Sequence, residues 1–296
     1  MLILFKQDKN FTVHLRKDYP HYIFISDIHG NINTLSLIKR ALIEFPDAIL
    51  VGGGDYIDGR KNSKEVLDFL MSLNKNKAII LKGNHEQMLL NFANKIDIAE
   101  SGWRPLWYEN GGKKTVRSLF GRGHSSTRSA ERIRISPYYS YLQSLPVMLD
   151  TPNYIFVHAG IKPVKNYDDL SLYKSSTLDM NNNPYMFYRL WARQEYWCND
   201  SLINNYFAHN YTSKTIITGH TPTSLITGKF LNSNLKIEKR SFTQNFPLKI
   251  QYNNEKARWF TDGGSNPKYT NNWGNVTVWD DQGNLIKIYN NQKKGS

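Results

Sequence analysis

The stretch ILVGGGDYIDGRK, residues 49–61, joins an apolar run to three glycines, two aspartates three positions apart and an arginine. The apolar run is typical of a buried β-strand, and the glycines let the backbone turn tightly where the strand ends. The segments HYIFISD (21–27) and KAIILKGNHE (77–86) have the same form, an apolar run followed by polar side chains. We therefore expect three similar strands in the first third of the chain.

A segment with the apolar spacing of an amphipathic helix follows each of these strands. The alternation of strand and helix predicts an α/β core whose first strands are parallel. The three predicted helices are NINTLSLIKRALIEF (31–45), SKEVLDFLMSL (63–73) and QMLLNFANKI (87–96). The later predicted strands are NYIFVHAG (153–160), KTIITGHT (214–221), ARWFTDGG (257–264) and the hairpin GNVTVWDDQGNLIKIYN (274–290), turning at Gln282, Gly283 and Asn284.

Two polar segments interrupt this pattern. Residues 121–134 are basic and poor in apolar side chains, which predicts a surface loop or cap. Residues 228–257 are polar with a few alternating apolar positions, which predicts an extra hairpin. The sequence has no solenoid-type repeat and no clear interdomain linker. We therefore expect one domain over residues 1–296, with insertions near 121–134 and 228–257.

The composition is that of a globular protein without the features of a secreted or membrane-spanning one. Of the 296 residues, 40% are hydrophobic and 21% are charged, as in ordinary globular proteins. The apolar run within the first ten residues is too short for the core of a signal peptide. No apolar run in the sequence approaches the roughly 18 residues that a membrane span requires. Cys198 is the single cysteine, which excludes an internal disulfide and fits a reducing compartment. These features predict a cytoplasmic location without membrane association.

The formal net charge of +13 favours partners that carry phosphate, nucleic acid included. A generally basic surface that serves solubility explains the same charge equally well. The sequence has no arginine-rich helix, RNA-binding signature or zinc-finger spacing that would localise the charge. Nucleic acid is therefore an open but not a favoured partner.

Side chains that can bind metal ions follow five of the predicted strands, each beside a glycine. Ligands of open α/β sheets bind where strands end, and four of the eight histidines lie at such positions. Each motif alone is weak, because a histidine after a strand is more often part of a turn. Together they indicate one site, formed by Asp27, His29, Asp55, Asp58, Asn84, His85, His158 and His220.

The residue types at these strand ends indicate the kind of metal. Carboxylates, imidazoles and an amide oxygen without a thiolate suit Mn²⁺, Fe or catalytic Zn²⁺ better than a structural zinc site. A carboxylate can bridge two metals held about 3.5–4 Å apart, an arrangement suited to in-line attack on phosphorus. We expect two divalent metal ions, with Mn²⁺ as the first candidate.

The motifs SDIHGN, GDYIDGR, GNHEQM, FVHAGI and GHTPT resemble, in this order, those of the calcineurin-like metallophosphoesterases. More narrowly, GNHEQM, YENGG (108–112), LWARQEYW (190–197) and TDGGS (261–265) resemble the bacterial serine/threonine type of phosphoprotein phosphatase. The resemblance covers roughly residues 20–290, with both insertions as departures. It implies a two-sheet mixed β-sandwich flanked by helices, with a dimetal site where the strands end.

The resemblance also implies roles for the metal ligands. It assigns Asp27 and His29 to the first metal ion and makes Asp55 the bridging ligand. Asn84, His158 and His220 would complete the second metal site.

For catalysis, the resemblance implies that His85 protonates the leaving oxygen and that Asp58 orients its imidazole. A neighbouring carboxylate keeps a histidine protonated to higher pH, as this role requires. Arg193 in LWAR matches a phosphate-clamping arginine, whose guanidinium fits a phosphoryl group with paired hydrogen bonds.

One motif departs from the family pattern. The family usually reads Asp-Arg-Gly after the second strand, whereas this sequence reads Asp58, Gly59, Arg60. We expect Arg60 still to contact substrate, because Gly59 lets the backbone adapt. The alternatives are that Lys61 or Arg193 takes over, or that phosphate binds more weakly.

These features predict a metal-dependent phosphomonoester hydrolase, a protein phosphatase for serine, threonine or tyrosine phosphates. Symmetrical hydrolysis of diadenosine tetraphosphate is the alternative, and a nucleic-acid phosphodiesterase is a third candidate. A further alternative, outside the class of enzymes, is a non-catalytic binding module that contains metal. The basic segment 122–134 suits an acidic phosphoprotein, a polyphosphate chain or no partner at all.

Overall fold

The computed structural model describes residues 6–7, 11–94, 107–163, 184–199, 204–267 and 271–292. Most of the opening decapeptide and positions 95–96 of the third predicted helix lie outside them. The strands are β1 Lys6–Gln7, β2 Thr12–His14, β3 His21–Ile25, β4 Ile49–Gly52, β5 Ala78–Ile80, β6 Met148–Asp150, β7 Tyr154–Val157, β8 Thr215–Thr218, β9 Gly228–Lys229, β10 Lys236–Ile237, β11 Leu248–Ile250, β12 Arg258–Phe260, β13 Val276–Asp280 and β14 Leu285–Tyr289. The α-helices are α1 Ile32–Glu44, α2 Ser63–Ser72, α3 Asn84–Asn94, α4 Gly112–Phe120, α5 Ser126–Arg134, α6 Pro137–Ser144, α7 Pro184–Leu190 and α8 Gln194–Trp197.

Two large mixed sheets contain most of the strands. One has the order β1-β2-β6-β7-β8-β12-β11 and the other the order β14-β13-β3-β4-β5. β3, β4 and β5 run parallel, as predicted, and so do β7, β8 and β12. Within the described residues, no helix is both long and apolar enough to cross a membrane.

The two sheets pack face to face through aromatic side chains. Tyr22 and Phe24 of β3 meet Tyr154 and Phe156 of β7, with ring centroids 5.4 Å apart for the tyrosines and 5.6 Å apart for the phenylalanines. All four are fully buried, and burial of each such side chain stabilises the folded state by roughly 1.5–3 kcal/mol. Because side chains alternate along a strand, Ile23 points to the opposite face of its sheet.

Helices cover the outer faces of both sheets. α1, α2 and α3 pack on the five-stranded sheet through Ile38, Leu67 and Leu89, while α7 and α8 pack on the seven-stranded sheet through Leu190 and Trp197. The predicted two-sheet mixed β-sandwich flanked by helices is therefore confirmed.

Residues 121–134, predicted as a surface loop or cap, form the helix α5 from Ser126 to Arg134, which the loop alternative did not foresee. Ser125 caps this helix, because its hydroxyl oxygen accepts a hydrogen bond from the Arg128 N–H at 3.3 Å. Ala130 and Ile133, three positions apart, are buried on the inner face. Two apolar side chains and a cap are enough to hold a short helix against α3.

The insertion at residues 228–257 contains the expected hairpin, formed by β9 and β10. It also supplies β11, which lies beside β12 at the edge of the seven-stranded sheet and was not predicted. The late hairpin of β13 and β14 turns where the sequence predicts, with Gly283 at φ 98°.

Candidate metal centre

The loops that follow β3 and β4 are joined by backbone hydrogen bonds. The N–H of Asp27 donates to the carbonyl of Gly54, and the N–H of His29 donates to that of Asp55, both at 2.9 Å. These bonds bring the side chains of Asp27, His29 and Asp55 to one edge of the sheet. The backbone there has left-handed φ values that cost about 1–2 kcal/mol per residue, a strain that often marks functional sites. The left-handed site residues are Asp27, His29, Asp55, Asp58 and His220.

Asp55 lies between two groups of potential ligands. In each group the ligand atoms lie within 4.8 Å of one another; the first joins Asp55 to His29 and His85, the second to His158 and His220. Its Oδ2 is 3.8 Å from Nε2 of both His29 and His85. Its Oδ1 is 3.4 Å from Nε2 of His158. The two oxygens thus face different groups, as a bridging carboxylate would require.

Asp27 and Asn84 complete the set. The amide oxygen of Asn84 lies 2.9 Å from Nε2 of His158. Oδ1 of Asp27 is buried without a hydrogen-bond partner, 3.9 Å from Nε2 of His29. A buried carboxylate oxygen without a partner is costly, and a bound cation would satisfy it. The residues present therefore fit a centre for divalent metal ions.

The three histidines of this set are held in fixed orientations. Nδ1 of His29 lies 3.1 Å from a backbone carbonyl oxygen, and Nδ1 of His158 lies 2.8 Å from another. Nε2 of His220 lies 3.1 Å from a third. In each ring the nitrogen at the carbonyl donates its proton to that carbonyl, so the other nitrogen faces the candidate centre, where a metal ion would replace any proton it carries.

The pKa values also suit metal binding. Burial raises the pKa of Asp55, but His158, His85 and His29 outweigh it and hold the pKa well below its usual value. Burial, aided by His85, lowers the pKa of His29 to about 3, and burial also holds that of His220 well below its usual value. His158 has a pKa of about 9, because Asp55 outweighs the effect of burial. The negative charge of Asp55, which stabilises a proton on His158, would also stabilise a metal cation bound between them.

His85 and Asp58 form a buried pair beside this centre. Nδ1 of His85 lies 2.7 Å from Oδ2 of Asp58, which also accepts the indole N–H of Trp107 at 2.9 Å. The Thr115 hydroxyl donates to the other carboxylate oxygen at 2.5 Å. Burial lowers the pKa of His85, but Asp55 and Asp58 raise it to about 9. The imidazole is therefore protonated at neutral pH.

Arg193 lies directly beside the centre. Its Nη1 donates to the carbonyl of His220 at 3.0 Å and to the hydroxyl of Thr221 at 3.1 Å. These bonds fix the guanidinium next to a candidate metal ligand and leave other N–H groups to bind an anion.

Arg60 follows Gly59, whose φ is 71°. The backbone N–H of Arg60 donates to the carbonyl of His29 at 2.8 Å, and its Nε donates to that of Ser265 at 2.9 Å. Arg60 thus ties the loop after β4 to the loop after β12. Its contact with substrate stays a prediction.

Comparison with known proteins identifies the family. Residues 20–224 match the sequence model of the calcineurin-like phosphoesterases. The chain belongs to this family. It is 29% identical to Shewanella-like protein phosphatase 1 of Plasmodium berghei over 47% of this chain and 38% of that protein. It is 38% identical to serine/threonine-protein phosphatase 2 of Salmonella typhimurium over 32% of this chain and 39% of that protein.

The chain thus aligns with less than two fifths of the length of either relative. A solved structure of a cold-active protein tyrosine phosphatase aligns with 93% of this chain and 79% of its own, at 16% identity and a TM-score of 0.48. Likeness at that level does not distinguish one phosphoesterase substrate from another.

Glu86 is a buried residue of the candidate metal centre that the sequence reasoning missed. Its buried carboxylate accepts the backbone N–H groups of Asp55, Tyr56 and Gly83 at 2.8, 2.8 and 2.9 Å. Burial, together with Asp55, raises its pKa to about 7. Its place in GNHE, directly after two site residues, is the signal that points to it.

Three further residues were missed. Trp107 and Thr115 hold Asp58, and no spacing in the sequence announces them. Asp262 is buried, accepts the N–H of Gly264 at 2.8 Å, and has a pKa raised well above its usual value by burial and by Asp27. Because Asp262 follows β12 as Asp27 follows β3, the strand-end pattern could have found it.

Proposed function

We propose that this chain is a metal-dependent phosphomonoesterase that acts on phosphorylated serine, threonine or tyrosine side chains of proteins. The observation that carries the proposal is Asp55, shared by two groups of ligands and flanked by the His85–Asp58 pair. Asp27, His29, Asp55, Asn84, His158 and His220 would hold two divalent ions, and we propose Mn²⁺.

When bound, such ions would supply a water activated for in-line attack on phosphorus. The chain's own residues perform the remaining steps. Arg193 binds the phosphoryl oxygens and stabilises the charge that develops on them. His85 donates its Nε2 proton to the leaving oxygen, and Asp58 holds the imidazole from the opposite nitrogen.

Two phosphatase relatives support a protein substrate, and so does the likeness of LWARQEYW to bacterial phosphatases. Those relatives match over less than two fifths of their length. The alternative is symmetrical cleavage of diadenosine tetraphosphate, which requires the same metal ligands.

A paired assay tests the proposal. The full chain with Mn²⁺ is offered a phosphothreonine peptide and diadenosine tetraphosphate at equal concentration, with Asp55→Asn as control. Turnover of the peptide that vanishes in the variant supports both the substrate and the bridging role. Turnover of the dinucleotide alone overturns the substrate class, and no turnover of either favours a binding module. Salt-dependent binding or cleavage of DNA or RNA would instead favour the phosphodiesterase.

We also propose that residues 1–296 form a single domain and that the protein is cytoplasmic. The single cysteine supports the location, because reducing compartments rarely use disulfides. Cell fractionation checks the location, and a single cooperative unfolding transition checks the domain.

A further inference from the structure

A basic cleft of about 340 Å³ lies between α4 and α5. Lys113, Arg117 and Arg122 line it, together with Ser125 and Ser126. Among the described residues that line it, none is acidic. No lysine or arginine ion pair in the described part of the chain involves these three cations. The cleft therefore concentrates positive charge that no ion pair within the described residues neutralises.

The cleft also offers hydrogen-bond donors. α5 begins at its edge, and the first N–H groups of a helix attract anions together with the helix dipole. The N-terminus of α5 thus adds a smaller attraction for anions to the larger one of the three cations. Three cations and a helix start around a small volume suit a phosphate or carboxylate group.

The cleft and the catalytic pair share one helix. Thr115 of α4 donates to Asp58, whereas Lys113 and Arg117, two positions to either side, line the cleft. Residues two positions apart lie about 200° apart around a helix, so the two sites occupy opposite faces of α4. A segment that reaches both sites must therefore pass around α4, over half the circumference of a helix 10–12 Å across, which is roughly 16–19 Å. An extended peptide covers that path with five or six residues, at about 3.3 Å each.

We infer that the basic cleft is a second anion site, which binds a phosphate or acidic side chain of a protein segment whose scissile phosphate lies at the metal centre. A peptide fits better than RNA, which is recognised largely by stacking of bases on free aromatic rings. Tyr108 and His124 are the rings among the described residues that line the cleft. Tyr108 packs against Lys113 and Phe92 at 5.4 and 5.3 Å, and Nε2 of His124 lies 2.6 Å from Nη1 of Arg132.

This inference rests on the proposed phosphatase activity, and its test separates the two. The full chain hydrolyses a peptide with one phosphothreonine, and a series in which a second phosphoserine stands three to six residues away on either side. We expect the best doubly phosphorylated peptide to have a KM about tenfold lower. Arg117→Gln/Arg122→Gln should remove this advantage without changing kcat on the singly phosphorylated peptide. Lys39→Gln/Lys75→Gln, with equal charge loss at exposed positions, should keep it.

Binding of a non-hydrolysable phosphonate version of both peptides is measured on the same proteins. Tenfold preference in binding without any turnover upholds the cleft and overturns the phosphatase. Turnover without a KM preference, or a preference that survives in Arg117→Gln/Arg122→Gln, overturns the cleft and leaves the phosphatase. Tighter binding of an RNA oligonucleotide of equal charge, lost in that variant, overturns the assignment to a protein segment.

Discussion

Asp58 contacts His85 through one carboxylate oxygen, while Trp107 and Thr115 hold the carboxylate in place. Its effect on the pKa of His85 is testable. With a pKa of about 9, His85 is protonated from low pH up to about pH 9. Hydrolysis of a phosphothreonine peptide, which needs a proton on the leaving oxygen, should therefore fall above about pH 9. In Asp58→Asn the neutral amide no longer favours the imidazolium, so the alkaline fall should begin at lower pH.

Substrates with different leaving groups can distinguish whether His85 acts as a general acid or only supports the structure. His85→Gln should lower kcat for the peptide by about 10²–10⁴-fold, because the alkoxide then departs without its proton. p-Nitrophenyl phosphate has a leaving group that needs little protonation, so its kcat should fall far less. Equal losses on both substrates would contradict the role of His85 as acid.

Arg60 and Arg193 lie in different loops, and we expect both to bind the substrate phosphate. Arg60→Ala should raise KM or lower kcat by about tenfold, comparable with Arg193→Ala, because each removes a charged donor. Arg16→Ala, at an exposed position, is the control. An unchanged rate in Arg60→Ala would mean that its contact with Ser265 serves structure alone.

Glu86 accepts three backbone N–H groups, so even a conservative change should be costly. In Glu86→Gln, an amide NH₂ faces at least one of these donors, which should lower the free energy of unfolding by about 1–3 kcal/mol. Because one donor belongs to Asp55, kcat should fall as well. Urea unfolding and steady-state kinetics measure both, with the exposed Glu131→Gln as control. A variant that matches the wild type in both would contradict this role.

Asp150 of β6 links three parts of the seven-stranded sheet. Its oxygens lie 2.5 Å from Nζ of Lys214, just before β8, and 3.1 Å from Nδ1 of His14 in β2. Burial raises the pKa of Asp150, but His14 and Lys214 outweigh it and lower the pKa. A lowered pKa stabilises the fold above the unfolded pKa of about 3.9, and this stabilisation is lost as pH falls through the folded value.

Asp150→Asn should therefore lower the free energy of unfolding by about 1–3 kcal/mol at pH 7. The difference from wild type should shrink as pH falls below about 4, where the wild-type carboxyl gains its proton. Urea unfolding from pH 7 downward measures this. The exposed Asp47→Asn should change stability by no more than about 0.5 kcal/mol. A difference that stays constant with pH would mean that Asp150 acts through shape alone.

Local patterns predicted the strands that carry the site residues and the side chains at their ends, because a strand and the turn after it are encoded in adjacent residues. Partners distant in sequence were not predictable in this way. Trp107 and Thr115 meet Asp58 across 49 and 57 positions, and neither contact leaves a trace in spacing. α5 was missed because Ala130 and Ile133 alone form its apolar face. β11 is likewise defined by its pairing with β12 rather than by its own short sequence.

At the level of the whole molecule, metal binding should be coupled to global stability, because the ligands come from five separate strand ends. Unfolding separates them, so the ions bind the folded chain far more tightly. A ligand that binds only the folded state, at a concentration of about one hundred times its Kd, raises the free energy of unfolding by about 2.7 kcal/mol. For a chain of 296 residues that raises Tm by roughly 4 °C.

We therefore expect Mn²⁺ to raise Tm by that amount and a chelator to reverse it, measured by calorimetry. Asp55→Asn should show a cooperative transition whose Tm responds much less to Mn²⁺, because it loses the negative charge that both groups of ligands share. Lys39→Gln/Lys75→Gln should respond as the wild type does. If Asp55→Asn gained as much from Mn²⁺ as the wild type, the ions would bind elsewhere, and the shared carboxylate would not be the centre of the site.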